Sequence, residues 1–151
     1  MKTIIVYASM TGTTELMAQT IMEELTKAGD RVVLRDVFDA YAEELETFES
    51  VLIGSYTWGD GDLSDEILAF HEELSEIDLT GKLGAVFGPG DSTYEHFARA
   101  VDRLEETLEN QGCNLVTKGL KVDSFYEDEE EIQMKCRLFA EKLISERVVT
   151  I

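Results

Sequence analysis

Five short runs rich in apolar and β-branched residues alternate along this chain with segments whose apolar residues recur at helical spacing. That alternation limits the fold more than any other feature. The runs are TIIVYA (3–8), RVVLRDV (31–37), SVLIGSY (50–56), KLGAVFG (82–88) and NLVTKGLKV (114–122). The first, third and fourth are apolar on both faces, as central strands of a parallel sheet covered by helices must be. The second and fifth carry charges, which suits sheet edges. Between them, Met17, Ile21 and Leu25 form one helical stripe with Ala18 and Met22 beside it. A shorter helix is predicted over 65–75, a third stripe joins Phe97, Val101, Leu104 and Leu108, and a fourth joins Ile132, Cys136, Phe139 and Leu143. Gly29 and Gly112 stand where left-handed helix C-caps are expected. The pattern predicts one doubly wound α/β domain over 1–151 with a five-stranded parallel sheet. In such a domain, ligands bind beyond the C-terminal ends of the strands, at the point where the strand order reverses.

Charge narrows the partners. The chain has 32 acidic against 13 basic residues, a formal charge of −19, which argues against nucleic acid and against anionic membranes. It favours basic protein surfaces instead. A hydrophobic fraction of 44% is that of a globular chain. No apolar run approaches the ~20 residues of a membrane span, and the N-terminal run is shorter than a signal peptide requires, so a cytoplasmic protein is expected. Cys113 and Cys136 lack CxxC spacing, which predicts neither disulfide nor zinc site, and Cys136 is expected as a core thiol. The acidic run 127–131 is expected as the solvated first turn of the last helix, and His71 and His96 are expected to face solvent.

The loops after the three most apolar strands carry the chemistry. SMTGTTE (9–15) offers Ser9, Thr11, Thr13 and Thr14 as donors ahead of a helix, with Gly12 free to let the backbone close on an anion. It contains neither a Walker lysine nor a GxGxxG fingerprint, and hydroxyl residues there also serve as ordinary N-caps. YTWGDGDLSDE (56–66) places the single Trp of the chain, Trp58, before the turn-forming Gly59, Asp60 and Gly61, so this indole is expected in a surface loop. GPGDSTYEHF (88–97) reads as a fixed turn around Pro89, with Tyr94 at the start of the next helix. A phosphate joined to a planar ring is the ligand that uses all three loops.

These three motifs, in this order and spread over nearly the whole chain, resemble the flavodoxins, small acidic electron carriers with one non-covalent FMN. The absence of a long insertion in the fifth strand resembles the short-chain type, and Thr13 stands where many members have Asn. The resemblance implies a flavodoxin-like three-layer sandwich with strand order 2-1-3-4-5. It implies that Ser9, Thr11, Gly12, Thr13 and Thr14 hold the FMN phosphate, with Met10 among the cofactor-binding residues of the same loop and Thr57 in reach of the phosphate or ribityl chain. Trp58 and Tyr94 would flank the ring on opposite faces. Gly59, Asp60, Gly61, Asp62, Gly88, Pro89, Gly90, Asp91 and Phe97 would complete the binding segments.

Reduction adds a proton at flavin N5, and Gly59 has the freedom to turn its carbonyl toward it. Acids at Asp60, Asp62, Asp65, Asp91 and Glu95 would disfavour an anionic flavin and lower its potential. The expectation is therefore a low-potential one-electron carrier rather than an enzyme, the alternative being an FMN-dependent oxidoreductase of the same fold. Family partners are a ferredoxin/flavodoxin reductase as donor and a cytochrome P450, a nitric oxide synthase or a similar enzyme as acceptor, with the carrier monomeric. A phosphoryl-accepting receiver domain has the same topology but needs acids after the first strand and a Lys after the last, where this chain has ASMTGTTE after the first.

Overall fold

The computed structural model describes residues 1–150, with side chains to residue 147. Strand β1 (Lys2–Ala8) leads into helix α1 (Thr13–Lys27), β2 (Arg31–Asp36), two 3-10 turns and β3 (Ser50–Ser55). A small hairpin, β4 (Thr57–Trp58) and β5 (Asp62–Leu63), precedes α2 (Asp65–Leu74) and β6 (Leu83–Gly90). Helix α3 (Arg99–Asn110), β7 (Asn114–Leu115), β8 (Leu120–Asp123) and α4 (Glu129–Thr150) follow. The main sheet runs β2-β1-β3-β6-β7, with β8 also pairing β6, and every pairing in it is parallel. Counted without the hairpin, this is the order 2-1-3-4-5.

Side-chain alternation divides the core. From β1, Ile4, Val6 and Ala8 point to one face and Ile5 and Tyr7 to the other, because successive residues of a strand face opposite ways. The first face packs on Ile67, Phe70 and Leu74 of α2 and Val101, Leu104 and Leu108 of α3. The second packs on Met17, Ile21 and Leu25 of α1 and Ile132, Cys136, Phe139 and Leu143 of α4. Gly29 and Gly112 follow α1 and α3 at φ +100° and +92°, the conformation expected of C-caps. The foot of the sheet is closed by the carboxylate of Asp30, which accepts two hydrogen bonds from the Arg147 guanidinium at 2.7 Å each and one from Thr3 Oγ1 at 3.0 Å.

Four elements depart from the sequence reading. The fifth run is two strands: Val116 N–H donates to Gly84 O (2.9 Å) and completes the β7 pairing, whereas Gly119 N–H donates to Glu105 Oε2 (2.9 Å) on α3, so the ladder is interrupted before β8. The fourth run does not turn at Pro89. Strand β6 continues to Gly90, since its edge pairs with β8 from Phe87 opposite Leu120 to Gly90 opposite Asp123, and a proline needs no partner on its N–H side. Helix α3 begins at Arg99, so Tyr94 lies in an irregular turn and Phe97 precedes the helix. His71 is half-buried rather than solvent-facing, its Nε2 lying 2.8 Å from Thr107 Oγ1. The last residue of the C-terminal SERVVTI lies outside the described residues.

Candidate functional site

At the C-terminal end of β1 the chain makes a cradle. Ser9 Oγ accepts from the backbone N–H of Gly12 (3.2 Å) and of Glu15 (3.3 Å), which curls the loop over the start of α1. Gly12 caps the helix at φ +94°, a conformation that only a residue without Cβ adopts freely, and no side chain of its own caps the first turn. The unpaired N–H groups of a first turn carry the positive end of the helix dipole. Thr11, Gly12 and Thr13 line a cleft of about 470 Å³ closed on its far side by Ser124 and Glu127. Among the described residues no Lys or Arg lines it, and Glu15, Glu127 and Glu129 do. Thr14 is buried beneath the loop.

A second cleft, of about 410 Å³, begins at the neighbouring residue, Met10. Its walls are Trp58 and Tyr94, 49% and 48% exposed, with Thr57, Gly59, Asp91, His96 and Ala98 between them. Exposed aromatic faces of this kind gain by stacking on a flat partner. Gly59 sits at φ +55° with open space where a Cβ would point. The two clefts together offer neutral donors for an anion at one end and paired aromatic walls at the other, a donor set that fits a phosphorylated planar ring.

The loops that form the walls are tied to one another. Thr57 Oγ1 accepts from Ala100 N–H at 3.0 Å and so caps α3 from the hairpin, in place of a cap from Ala98. Ala98 itself is held at φ +49° at the mouth of the helix, a strained conformation for a residue with a Cβ. Asp60 Oδ1 accepts from His96 N–H (2.8 Å), and Asp60 Oδ2 lies 3.3 Å from His96 Nδ1. The hydrogen bond from the His96 backbone, then the His96 side chain and Arg99, hold the Asp60 carboxyl below the usual range. On the far side, Asp123 Oδ1 accepts from Ser92 N–H (3.3 Å) and Phe125 N–H (3.1 Å), joining the loop after β6 to the loop after β8. Burial opposes the charge of Asp123, but its hydrogen bonds from Ser92 and Phe125 outweigh it and lower the pKa.

The structure therefore brings Met10, Thr11, Gly12, Thr13, Thr57, Trp58, Gly59, Asp91 and Tyr94 to the cleft walls, with Ser9 bracing the first loop. Asp60 ties the hairpin across, Gly61 is buried under His96 and Arg99, and Asp62 faces solvent. Gly88, Pro89 and Gly90 lie buried within β6 and Phe97 is half-buried, so these four support the third loop from beneath. Sequence reading missed His96, Ala98, Asp123, Ser124 and Glu127 as site residues. Only the position of Ser124 and Glu127 beyond the last strand hinted at them, and nothing in the sequence marks Ala98, because alanine rarely adopts positive φ.

The family model described as Flavodoxin matches residues 5–139. The chain is 43% identical over 136 residues to probable flavodoxin 2 of Bacillus subtilis strain 168, covering 88% of this chain and 89% of that one. It superposes on oxidised flavodoxin 2 of Bacillus cereus with a TM-score of 0.90, at 45% identity and covering 96% of this chain and 99% of that one. A single-site variant of a Fusobacterium nucleatum flavodoxin, bound to flavin mononucleotide, shares the fold at a TM-score of 0.79 and 20% identity, covering 96% of each chain.

Proposed function

Because the chain belongs to the flavodoxin family, we propose that it is a low-potential carrier which holds one FMN and passes single electrons from a reductase to an acceptor enzyme. The observation that carries this reading is the meeting of two clefts at Met10 and Thr11, one floored by a helix N-terminus and one walled by Trp58 and Tyr94. FMN supplies the redox chemistry, being able to take electrons one at a time.

The chain's residues do the rest. Ser9, Thr11, Gly12, Thr13 and the first turn of α1 would bind the phosphate through neutral donors, with no Lys or Arg in the lining of that cleft among the described residues. Trp58 and Tyr94 hold the ring and exclude water from its faces, which leaves little room for a substrate to approach and favours carriage over turnover. Gly59, at positive φ with open space where a Cβ would point, would leave its carbonyl free to accept a hydrogen bond from an N–H at the ring edge. Asp62 and Asp91 add negative field beside the site, so each further electron is disfavoured there. A formal charge of −19 steers the carrier toward basic faces, such as those of a ferredoxin/flavodoxin reductase and of a P450-type or nitric oxide synthase acceptor.

An anaerobic reductive titration of the FMN-loaded protein tests this. A long-wavelength absorbance band that rises and then vanishes shows two separated one-electron steps. Direct passage to fully reduced flavin refutes the carrier and points to two-electron enzyme chemistry.

A further inference from the structure

We propose that His96 and Asp60 form a protonation-sensitive latch that fixes the Gly59–Asp60 peptide in its present orientation, making His96 a positioning residue for the first electron transfer. The inference rests on the reading of the second cleft as the seat of the flavin ring. Its basis is geometric. Asp60 follows immediately on Gly59, the glycine of the second cleft, which has positive φ and open space where a Cβ would point. The Asp60 carboxylate is the anchor of that peptide, and both of its oxygens are engaged by one residue 36 positions away, Oδ1 by His96 N–H at 2.8 Å and Oδ2 by His96 Nδ1 at 3.3 Å.

A carboxylate held at both oxygens fixes the backbone that carries it, so the Gly59 carbonyl cannot turn without stretching at least one of these contacts. The same junction is closed from below. A Cβ at Gly61 would lie 3.0 Å from both His96 Cβ and Arg99 Cδ, so the hairpin already rests directly on the His96 segment. Thr57 also caps α3 through Ala100 N–H, which ties the hairpin that bears Trp58 to the segment after the Tyr94 loop at a second point besides the Asp60–His96 contacts.

The imidazole makes the joint respond to pH. The backbone contact from His96 N–H persists in either protonation state, whereas the Nδ1 contact is an ion pair only when the ring is charged. Charged groups from each neighbouring element face this ring: Asp60 from the hairpin, Glu95 from its own loop, and Arg99 from α3 against the shared Gly61 floor. Gain of the proton tightens the latch and holds the carbonyl back, and loss of the proton frees it. The pair is solvent-exposed, so the effect is modest, about twofold to fivefold in the equilibrium constant for the first electron, as expected for an exposed ion pair.

The test uses wild type, H96Q, H96R and D60N, each with and without FMN. In the apo-protein, unfolding of D60N, H96Q and the double variant gives the coupling between the two side chains without any flavin. In the FMN-loaded proteins, the midpoint of the first reduction is followed from pH 5.5 to 8.5. The wild-type constant should cross over by about twofold to fivefold relative to H96Q, converging on H96Q at high pH. H96R, with a permanent charge, should keep the low-pH wild-type offset throughout. Parallel wild-type and H96Q profiles, or an absent coupling in the apo-protein, overturn the latch while leaving the carrier reading intact. Failure of wild type to bind FMN overturns the carrier reading instead, and the apo-protein coupling still decides whether the two side chains act on each other.

Discussion

Replacing Arg147 by Met tests how the C-terminal helix is fastened to the foot of the sheet. Asp30 is 1% exposed at its side chain and Arg147 12%, so the pair is closed to water. Burial works against the charge on Asp30, but the Arg147 hydrogen bonds and charge, then Thr3 and the amino terminus, outweigh it and hold the carboxyl below the usual carboxylate range. R147M keeps the length of the side chain and removes both 2.7 Å bonds, leaving a buried carboxylate with the Thr3 hydroxyl and an amino terminus 3.5 Å away. Breaking a buried pair costs about 3–5 kcal/mol, and the surviving amino group places R147M near the lower end, about 3 kcal/mol. For a domain of this size that is a fall in Tm of about 6–12 °C.

The pH dependence has a definite sign. In wild type the folded-state pKa of Asp30 is depressed, so its contribution is complete above the unfolded value near 4 and disappears as pH falls through the still lower folded value. In R147M burial dominates and the carboxyl takes up a proton on folding, so the gap from wild type narrows as pH falls from 7 toward 4. Urea unfolding of the apo-proteins at pH 7 and pH 4 reads both quantities, and D30N/R147M should recover part of the loss because no charge is left buried. A pH 7 difference under about 1 kcal/mol, or one that does not shrink on acidification, refutes the reasoning.

Three further outcomes follow from other parts of the fold. G88A should cost about 3 kcal/mol or more in urea unfolding, because a Cβ at Gly88 would run into Ser55 O, a backbone atom that cannot move without parting β3 from β6. T57V removes the hydroxyl that accepts from Ala100 N–H and should cost about 1 kcal/mol in thermal unfolding, which T57S largely restores. Neither thiol should react with a thiol reagent at pH 8 in the folded protein, since burial pushes Cys113 up to about 11 and Cys136 up to about 12, and both should react at the rate of global unfolding.

The parts of the fold legible in the sequence are those governed by periodicity. The three strands that read as apolar on both faces, β1, β3 and β6, are the ones with helices on both sides, and the charges in the other two runs marked the sheet edges correctly. The place of the first loop at a strand-to-helix junction was equally legible, although its hydroxyl residues alone read as well for ordinary N-caps. What escaped was set by pairing across the chain. Pro89 reads locally as a turn, and only its place opposite Val122 of β8 makes it a strand residue. The late start of α3 depends on a strained alanine and on a cap supplied by Thr57 from the hairpin, and neither relation leaves a local pattern. His96 read as an ordinary surface histidine because its partner Asp60 lies in another loop.

The break in the last strand has a consequence for solutions crowded with copies of this chain. An uninterrupted edge strand is a rail along which a second backbone can zip, the first step toward fibrous aggregates. Here the rail is cut after Leu115 and resumes at Leu120, and the amide of Gly119 in the gap is spent on Glu105 of the adjoining helix. An incoming strand would have to match two short segments separated by a kink, with no run long enough to seed a ladder. The irregularity that divides the fifth run thus blunts this edge of the sheet, and it is built from one glycine and one glutamate.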